Sequence, residues 1–393
     1  METSKSLVRE LNRRRVLEEV FSKGPISRSQ VSKNLKLNKV TVSEIVAELI
    51  DEELFEELGR GDSSSRGGRK PTMLMLNANF GYVLSFDMGF NYIDVMMNRI
   101  DGSIISFAHH RVGEISIEER LDFIDITGHQ LTAQAPVGHG LLGVSVAIHG
   151  IVHENQVLYT PYIDFKDIDV AKVLTERFQV PVLLQNEANL SAIYQRDFES
   201  QSEVDNLVCI SIHKGIGAGI IIKNRLYTGI RGEAGEIGHS LIYDKGQKKG
   251  EAKSIESYCS EDAILKRIAD STAIENLHRD DLKQLYNDDN VIVRNIIDEF
   301  CFYTASIVYN TIVALDPEKV VLNSNLIADI PELLDTIRNY IPSLTKDKTQ
   351  VELLKNSRYA ILLGGASIII GNILRVTQGD LNFAKIDLSD LGL

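Results

Sequence analysis

Two stretches of this chain carry side chains whose types and spacing could do chemistry. In Gly229-Ile230-Arg231-Gly232-Glu233-Ala234-Gly235-Glu236-Ile237-Gly238-His239, the Glu236 carboxylate and the His239 imidazole are spaced by one helical turn. They lie beside glycines that let a backbone approach closely. Such groups provide fixed acceptors and donors for a hydroxyl-rich ligand in a partly desolvated cleft, whereas a lone carboxylate is more often a solvated surface charge. The second stretch, Asn38-Lys39-Val40-Thr41-Val42-Ser43-Glu44, falls at a helix start. There Lys39 could reach guanine acceptors, Thr41 and Val42 could pack on a thymine methyl, and Ser43 could bond a base edge. The three cysteines, Cys209, Cys259 and Cys301, have no C-x-x-C spacing. They read as buried apolar thiols rather than a disulfide framework or a zinc site.

These residues must be held by a sizeable fold. With 393 residues, 44% of them hydrophobic, the chain has material for two or three domains, which excludes intrinsic disorder. No apolar run approaches the ~18–20 residues needed to span a bilayer, and Met1-Glu2-Thr3-Ser4-Lys5 lacks the apolar core of a signal peptide. A cytoplasmic protein with no membrane partner is expected. The net charge of −13 would oppose nucleic-acid binding if evenly spread, but residues 1–76 carry 14 basic and 12 acidic side chains. Within them, residues 5–40 hold ten basic and three acidic, 41–58 hold seven acidic and no basic, and 59–70 return to four basic and one acidic.

Local signals divide this first segment into elements. Leu7, Leu11, Val16, Leu17, Val20 and Phe21 are largely spaced for one helical face, which Gly24-Pro25 terminates. Ser27-Arg28-Ser29-Gln30 fits a capping box opening a short second helix. Asn38 is the expected N-cap of a third helix, Lys39 to about Glu52, burying Val42, Ile45, Val46, Leu49 and Ile50 and leaving Lys39, Thr41, Ser43 and Glu44 outward. The strands Leu54–Leu58 and Met73–Leu76 would flank a Gly/Ser-rich basic loop with Arg66, Arg69 and Lys70 near its tip. The order predicts a winged helix-turn-helix over residues 1–76, with Arg28, Lys39, Thr41, Val42, Ser43, Arg66, Arg69 and Lys70 facing double-stranded DNA. Arg13, Arg14, Arg15, Lys33 and Lys36 are expected on phosphates. A plain three-helix bundle with an interdomain linker is the alternative.

From Asn77 onward, apolar strand-like runs alternate with helical ones, and a second cycle begins at Leu207–Ile212. This predicts a two-lobed α/β domain over residues 77–393, divided into roughly 77–195 plus the end of the chain, and 196–375. Here the residues resemble a known family. Arg69-Lys70-Pro71 with Leu74-Met75-Leu76-Asn77, and above all the Gly232–His239 octet, are similar to the ROK family (repressor, open reading frame, kinase) and to its winged-helix sugar repressors. The resemblance implies an actin/hexokinase-like (ribonuclease H-like) sugar domain behind the DNA-binding head. It implies that Glu236 and His239 contact sugar hydroxyls and, through Ser254–Ser260 and Gln185–Asn189, that Glu256, Asn186 and Glu187 join them. It also implies a pseudo-palindromic operator, a homodimer or higher homo-oligomer, and a monosaccharide effector, with xylose first.

Departures from the family pattern bear on activity. The kinase base, an aspartate, is Glu187 here, one methylene longer. The phosphate-loop glycine is replaced by Phe90 in Asp87-Met88-Gly89-Phe90-Asn91, a second loop reads His213-Lys214-Gly215, and a third reads Asn323-Ser324-Asn325. Tyr162 stands in Thr160-Pro161-Tyr162, where an asparagine is frequent. Between His239 and Cys259 the family's zinc cysteines are missing. A non-catalytic sensor without metal or cofactor is expected; an active ATP-dependent sugar kinase is the alternative.

Overall fold

The computed structural model describes residues 2–60, 71–135, 138–200, 203–242, 252–274, 277–342 and 349–386. The first elements are α1 (Glu2–Lys23), β1 (Ile26–Ser27), α2 (Arg28–Leu35), α3 (Lys39–Asp51), β2 (Phe55–Arg60) and β3 (Thr72–Leu76). Helix α1 stops before Gly24-Pro25 as its sequence dictates. The Ser27 hydroxyl accepts the Gln30 N–H at 3.2 Å and the Asn38 side chain accepts the Val40 N–H at 2.9 Å, so both helix-turn-helix starts are capped. The capping box is only half made, because Gln30 turns its amide to Asn34 Oδ1 at 2.6 Å. Val16, Leu17, Val20, Val31, Ile45, Val46 and Leu49 form the core of this segment, over which β2 and β3 pair antiparallel from Phe55↔Leu76. Leu7 and Leu11 belong to the apolar stripe of α1 by spacing, yet they stay exposed, beyond the reach of this core.

Next come β4 (Tyr82–Met88), β5 (Tyr92–Arg99), β6 (Ile104–Arg111), α4 (Ile117–Ala133) and β7 (Leu141–Ile148). The hairpin β8 (Ile151–His153) and β9 (Gln156–Tyr159), then α5 (Val170–Phe178), β10 (Val182–Asn186) and α6 (Glu187–Tyr194), follow. The second cycle contains β11 (Leu207–Ile212), β12 (Ile216–Ile222), β13 (Arg225–Tyr227), β14 (Leu241–Ile242), β15 (Lys253–Ser254), α7 (Glu256–Cys259) and α8 (Glu261–Thr272). It continues with α9 (Arg279–Asn287), α10 (Val291–Leu315), β16 (Lys319–Ser324), α11 (Asn325–Asp329), α12 (Glu332–Tyr340), β17 (Gln350–Leu353) and α13 (Ser357–Ile373).

Among the described residues, the two large sheets share one topology. The first runs β10-β7-β4-β5-β6 and the second β17-β16-β11-β12-β13; each is an antiparallel three-stranded meander extended by two parallel strands. Parallel strands need helical crossovers, and these cover the sheets with apolar faces. Leu84, Phe86, Val144, Val146, Ile124 and Leu174 fill the first core; Ile210, Ile212, Leu322, Phe300, Val308 and Ile337 fill the second. Each such side chain contributes about 1.5–3 kcal/mol on burial.

Contacts among the described residues divide the chain differently from the boundaries expected at 76, 195 and 375. One compact unit is drawn from Met1–Asn186, Asp197–Gln201 and Leu362–Leu393, the other from Glu187–Arg196 and Ser202–Ile361. The head falls within the first unit, where side chains of α1 bond to the segment following α13 and His139 pairs with Glu53 at 2.9 Å. Within that unit Gly365 of α13 packs on Ser145 and Ser85, which ties the later half of α13 to the first sheet.

Candidate functional site

The head presents one candidate surface at the start of α3. Lys39 and Val40 are exposed there, and Thr41 and Ser43 are half-buried. Val42 corrects the sequence reading: it is fully buried with Ile45 and Val46 and cannot touch a base. Its neighbour Val40, 62% exposed, is the apolar side chain at the surface. The helical spacing itself turns Val42 inward with Ile45, Val46 and Leu49, so it cannot also serve as a base contact. Arg28 at the start of α2 is half-exposed and pairs with Glu57 of β2 at 2.8 Å. The cations expected on phosphates divide in two groups. Arg13 pairs with Glu52, Arg14 with Glu18 and Asp380 at 2.9 Å, and Arg15 donates to the Leu35 carbonyl at 3.1 Å, whereas Lys33 and Lys36 are exposed. Arg66, Arg69 and Lys70 lie outside the described residues.

The second candidate site belongs to the second unit, where strand β12 organises it. The Ile216 N–H donates to Glu256 Oε2 at 3.4 Å, and Gly217 faces Glu187 Oε1. The Ala218 N–H donates to the Gly235 carbonyl at 2.8 Å, which delivers Glu236 one residue further on. Three successive residues of one strand edge thus gather three carboxylates from three chain segments. Gly235 has φ +101°, and a Cβ there would sit 1.9 Å from the Ala218 carbonyl oxygen. A Cβ on Gly238 would meet the Ile216 carbonyl oxygen at 2.4 Å. These two glycines therefore let the Gly229–His239 loop lie against β12.

Among the gathered carboxylates, burial raises the pKa of Glu236; His239 opposes the rise, while Glu256 and Glu233 add to it. His239 is exposed, with Nε2 3.6 Å from Glu256 Oε1. Glu187 is buried at the start of α6. Burial of the Cys209 thiol pushes its pKa up, and the negative charge of Glu187 adds to the rise. Cys259 and Cys301 are likewise buried, with thiols pushed up to about 12, and all three cysteines are free. The arrangement offers acceptors and one imidazole to a polyhydroxylated ligand.

Asn186 ends β10 in the first unit, and its Nδ2 donates to the Gly150 carbonyl at 2.8 Å. In the same unit, the segment expected to hold phosphates is tied down. Asp87 accepts from His149 Nε2 at 2.8 Å and from the Tyr92 hydroxyl at 3.0 Å. The buried Arg120 donates to the Gly89 carbonyl at 2.8 Å, to the Phe90 carbonyl, and to the Ile115 carbonyl at 3.2 Å. The Phe90 ring packs edge-on to Tyr162, centroids 6.0 Å apart, so two departures from the family pattern touch each other. In the second unit, the His213 carbonyl accepts the Glu261 N–H at 2.8 Å. Asn323 turns into the core, donating to Ser191 Oγ at 3.1 Å. Sequence reasoning missed Arg120, His149 and Tyr92, whose spacing forms no local pattern.

No group of three His, Cys, Asp or Glu among the described residues could hold a metal ion. Residues 243–251, where the family's zinc cysteines are missing, lie outside the described residues. No helix among the described residues is long and apolar enough to cross a membrane.

A helix-turn-helix head joined to two ribonuclease H-like sheets, with clustered carboxylates beside a glycine-bearing loop, defines the class of kinase-like proteins with a DNA-binding head. Residues 83–371 match the ROK family, and the chain belongs to it. It is similar to the xylose repressor of Lactiplantibacillus pentosus, 38% identical over 98% of both chains. The xylose repressor of Bacillus subtilis (strain 168) is 33% identical over 94% of this chain and 97% of its own. Among solved structures, a ROK family transcriptional regulator, homolog of the E. coli MLC protein, superposes with a TM-score of 0.79 at 23% identity, covering 95% of this chain and 98% of that one. A ROK family glucokinase from Streptomyces griseus, in complex with glucose and AMPPNP, superposes with a TM-score of 0.63 at 22% identity, covering 73% of this chain and 99% of that one. The fold is thus shared by regulators and kinases.

Proposed function

We propose that this protein is a sugar-responsive transcriptional repressor, with xylose as its effector and a non-catalytic kinase-like domain as its sensor. The observation that carries the reading is one chain holding both the α3 surface and the carboxylates gathered by β12. The relatives named xylose repressors match over nearly the whole chain, head included. Lys39, Thr41 and Ser43 would read bases, joined by Val40, while Arg28, Lys33, Lys36 and the wing residues Arg66, Arg69 and Lys70 would contact the backbone. Glu187, Glu236, His239 and Glu256 would hold sugar hydroxyls, with Asn186 assigned the same role by resemblance. A symmetric homo-oligomer would match a pseudo-palindromic operator.

A non-catalytic domain is supported by the bulky Phe90 standing in place of a phosphate-loop glycine, its ring packed on Tyr162. The Asp87 carboxylate is engaged by His149 and Tyr92, and the carbonyls of Gly89 and Phe90 are held by Arg120. The test is to select duplexes from a randomised library with the purified chain. Their affinity is then measured with and without xylose, glucose and N-acetylglucosamine, and phosphoryl transfer from Mg-ATP is assayed in parallel. A xylose-dependent change in affinity without turnover is expected. Sugar-dependent ATP turnover would revive the kinase, and indifference to every sugar would remove the sensor. Val40→Ala should weaken binding to the selected duplex without lowering the melting temperature, whereas Val42→Ala should lower it.

A further inference from the structure

The segment that follows α13 is fastened to α1 of the head. After a turn closed by the Asp380 N–H on the Thr377 carbonyl at 3.1 Å, Asp380 accepts from Arg14 NH2 at 2.9 Å. The Asn382 N–H then donates to the Ser22 hydroxyl at 3.3 Å. Phe383, 1% exposed, meets the Phe21 ring edge-on at 5.0 Å and stacks on Phe198 at 4.5 Å. A Cβ on Gly102 would come within 2.4 Å of the Phe383 ring, so the β5–β6 turn closes over it. Phe21, Phe198, Gly102 and Phe383 all belong to the first unit.

Helix α1 in turn grips both helices of the helix-turn-helix. Arg9 pairs with Glu48 on α3 and Arg13 with Glu52 just past its end, while Glu19 accepts from Asn34 on α2 at 2.6 Å. Anything that resets α1 therefore resets the α3 surface. On its other side, Phe383 is seated where the chain passes from one unit to the other. Helix α6 begins at Glu187, a candidate sugar ligand, and runs directly into a wider π-helical turn, Gln195–Ser200, that contains Phe198. The passage between units falls at Arg196/Asp197, and a further one lies within α13 at Ile361/Leu362. The two passages are fastened together in the first unit: Ser367 of α13 donates to Asp197 Oδ2 at 2.5 Å, and the Asp197 carbonyl accepts the Phe383 N–H at 3.0 Å. Turns of this π-helical kind recur at functional positions in helices.

We infer that Phe383 is a positioning residue: the strap Thr377–Phe383 transmits occupancy of the sugar site to the DNA-binding face by holding α1 against Phe198. The inference rests on the proposal that the chain binds both sugar and DNA. It names the element both ligands bias, as energetic coupling between sites requires. Reciprocity follows, so a sugar that weakens DNA binding is itself bound more weakly by the DNA-bound protein.

The test uses Phe383→Leu and Phe198→Leu in the full chain. Both keep an apolar side chain and remove the stacked ring. Affinity for a selected duplex is measured with and without xylose, xylose affinity is measured without DNA, and thermal unfolding is followed in parallel. DNA affinity without xylose and xylose affinity without DNA are each expected to stay within about twofold, while the xylose-dependent change in DNA affinity shrinks by about fivefold or more. Phe383→Tyr, which restores a ring, should recover most of the coupling. A purely structural role would lower the melting temperature or both affinities and leave their ratio alone. An unchanged ratio in both leucine variants overturns the inference. A wild-type chain that binds its duplex but ignores xylose overturns the underlying reading instead.

Discussion

The turns β4–β5 and β11–β12 occupy equivalent places in two sheets of one topology, yet they are fastened by opposite means. In the first, the buried Arg120 guanidinium bonds the carbonyls of Gly89 and Phe90 and also reaches the Ile115 carbonyl, and Phe90 lies against Tyr162. In the second, the turn closes on its own backbone, His213 N–H to the Gly215 carbonyl at 3.0 Å, and the His213 carbonyl caps the neighbouring Glu261 N–H. One turn is thus held by a permanent cation, the other by main chain beside a titratable acid. Strand order alone does not decide what a turn can bind; the groups that satisfy its carbonyls do.

Removing the cation is the strongest way to break the comparison. Arg120→Met leaves the Gly89, Phe90 and Ile115 carbonyls without this donor and is expected to cost about 3 kcal/mol, seen as a lower urea midpoint. An unshifted midpoint would mean that the carbonyls find other partners. Gly235→Ala attacks the other sheet: the positive φ and the Ala218 carbonyl at 1.9 Å force the loop off β12. A loss of about 1–3 kcal/mol is expected, together with at least tenfold weaker xylose binding by calorimetry.

The titratable acid gives a smaller, pH-dependent signature. Burial raises the pKa of Glu261, whose carboxylate accepts the Leu326 N–H at 2.9 Å. The folded chain therefore keeps this proton to higher pH than the unfolded one, so Glu261 costs stability as pH rises above 4.5 through its folded pKa. Glu261→Gln should flatten that decline, read as a smaller fall of melting temperature between acid and neutral pH, whereas the Arg120 guanidinium that holds the other turn does not titrate in that range. Glu236, raised in the same direction, adds to the wild-type slope. Lys214→Ala is the smallest change. Its 3.7 Å pair with Asp262 is exposed on both sides, and less than about 0.5 kcal/mol is expected in the same urea titration.

What was legible in the sequence follows the range of the interactions. Gly24-Pro25, Ser27 and Asn38 act within a few residues, so the limits of α1, α2 and α3 could be read directly. The Gly232–His239 loop was legible because its glycines and carboxylate lie in one short string. Val42 was rightly placed on the buried face of α3 by its spacing with Ile45, Val46 and Leu49; only its second assignment, to a base contact, was wrong. Arg120 and the strap were invisible for a different reason. Their partners stand far away along the chain, Phe21 against Phe383 and Arg14 against Asp380, and nothing in either local pattern marks the other. That the end of the chain returns to the first lobe was an expectation of the sequence, whereas the passage within α13 at Ile361/Leu362 was not marked, because α13 is one uninterrupted apolar helix.

That interleaving has a consequence for the order in which the molecule is made. The helix pair α2–α3 leaves the ribosome before both sheets, while Asp380, Asn382 and Phe383, which clamp α1, emerge after them. Domains fold broadly in the order of their synthesis. A chain still being translated therefore displays its recognition helix before it has the clamp, and an early-terminated chain never acquires it.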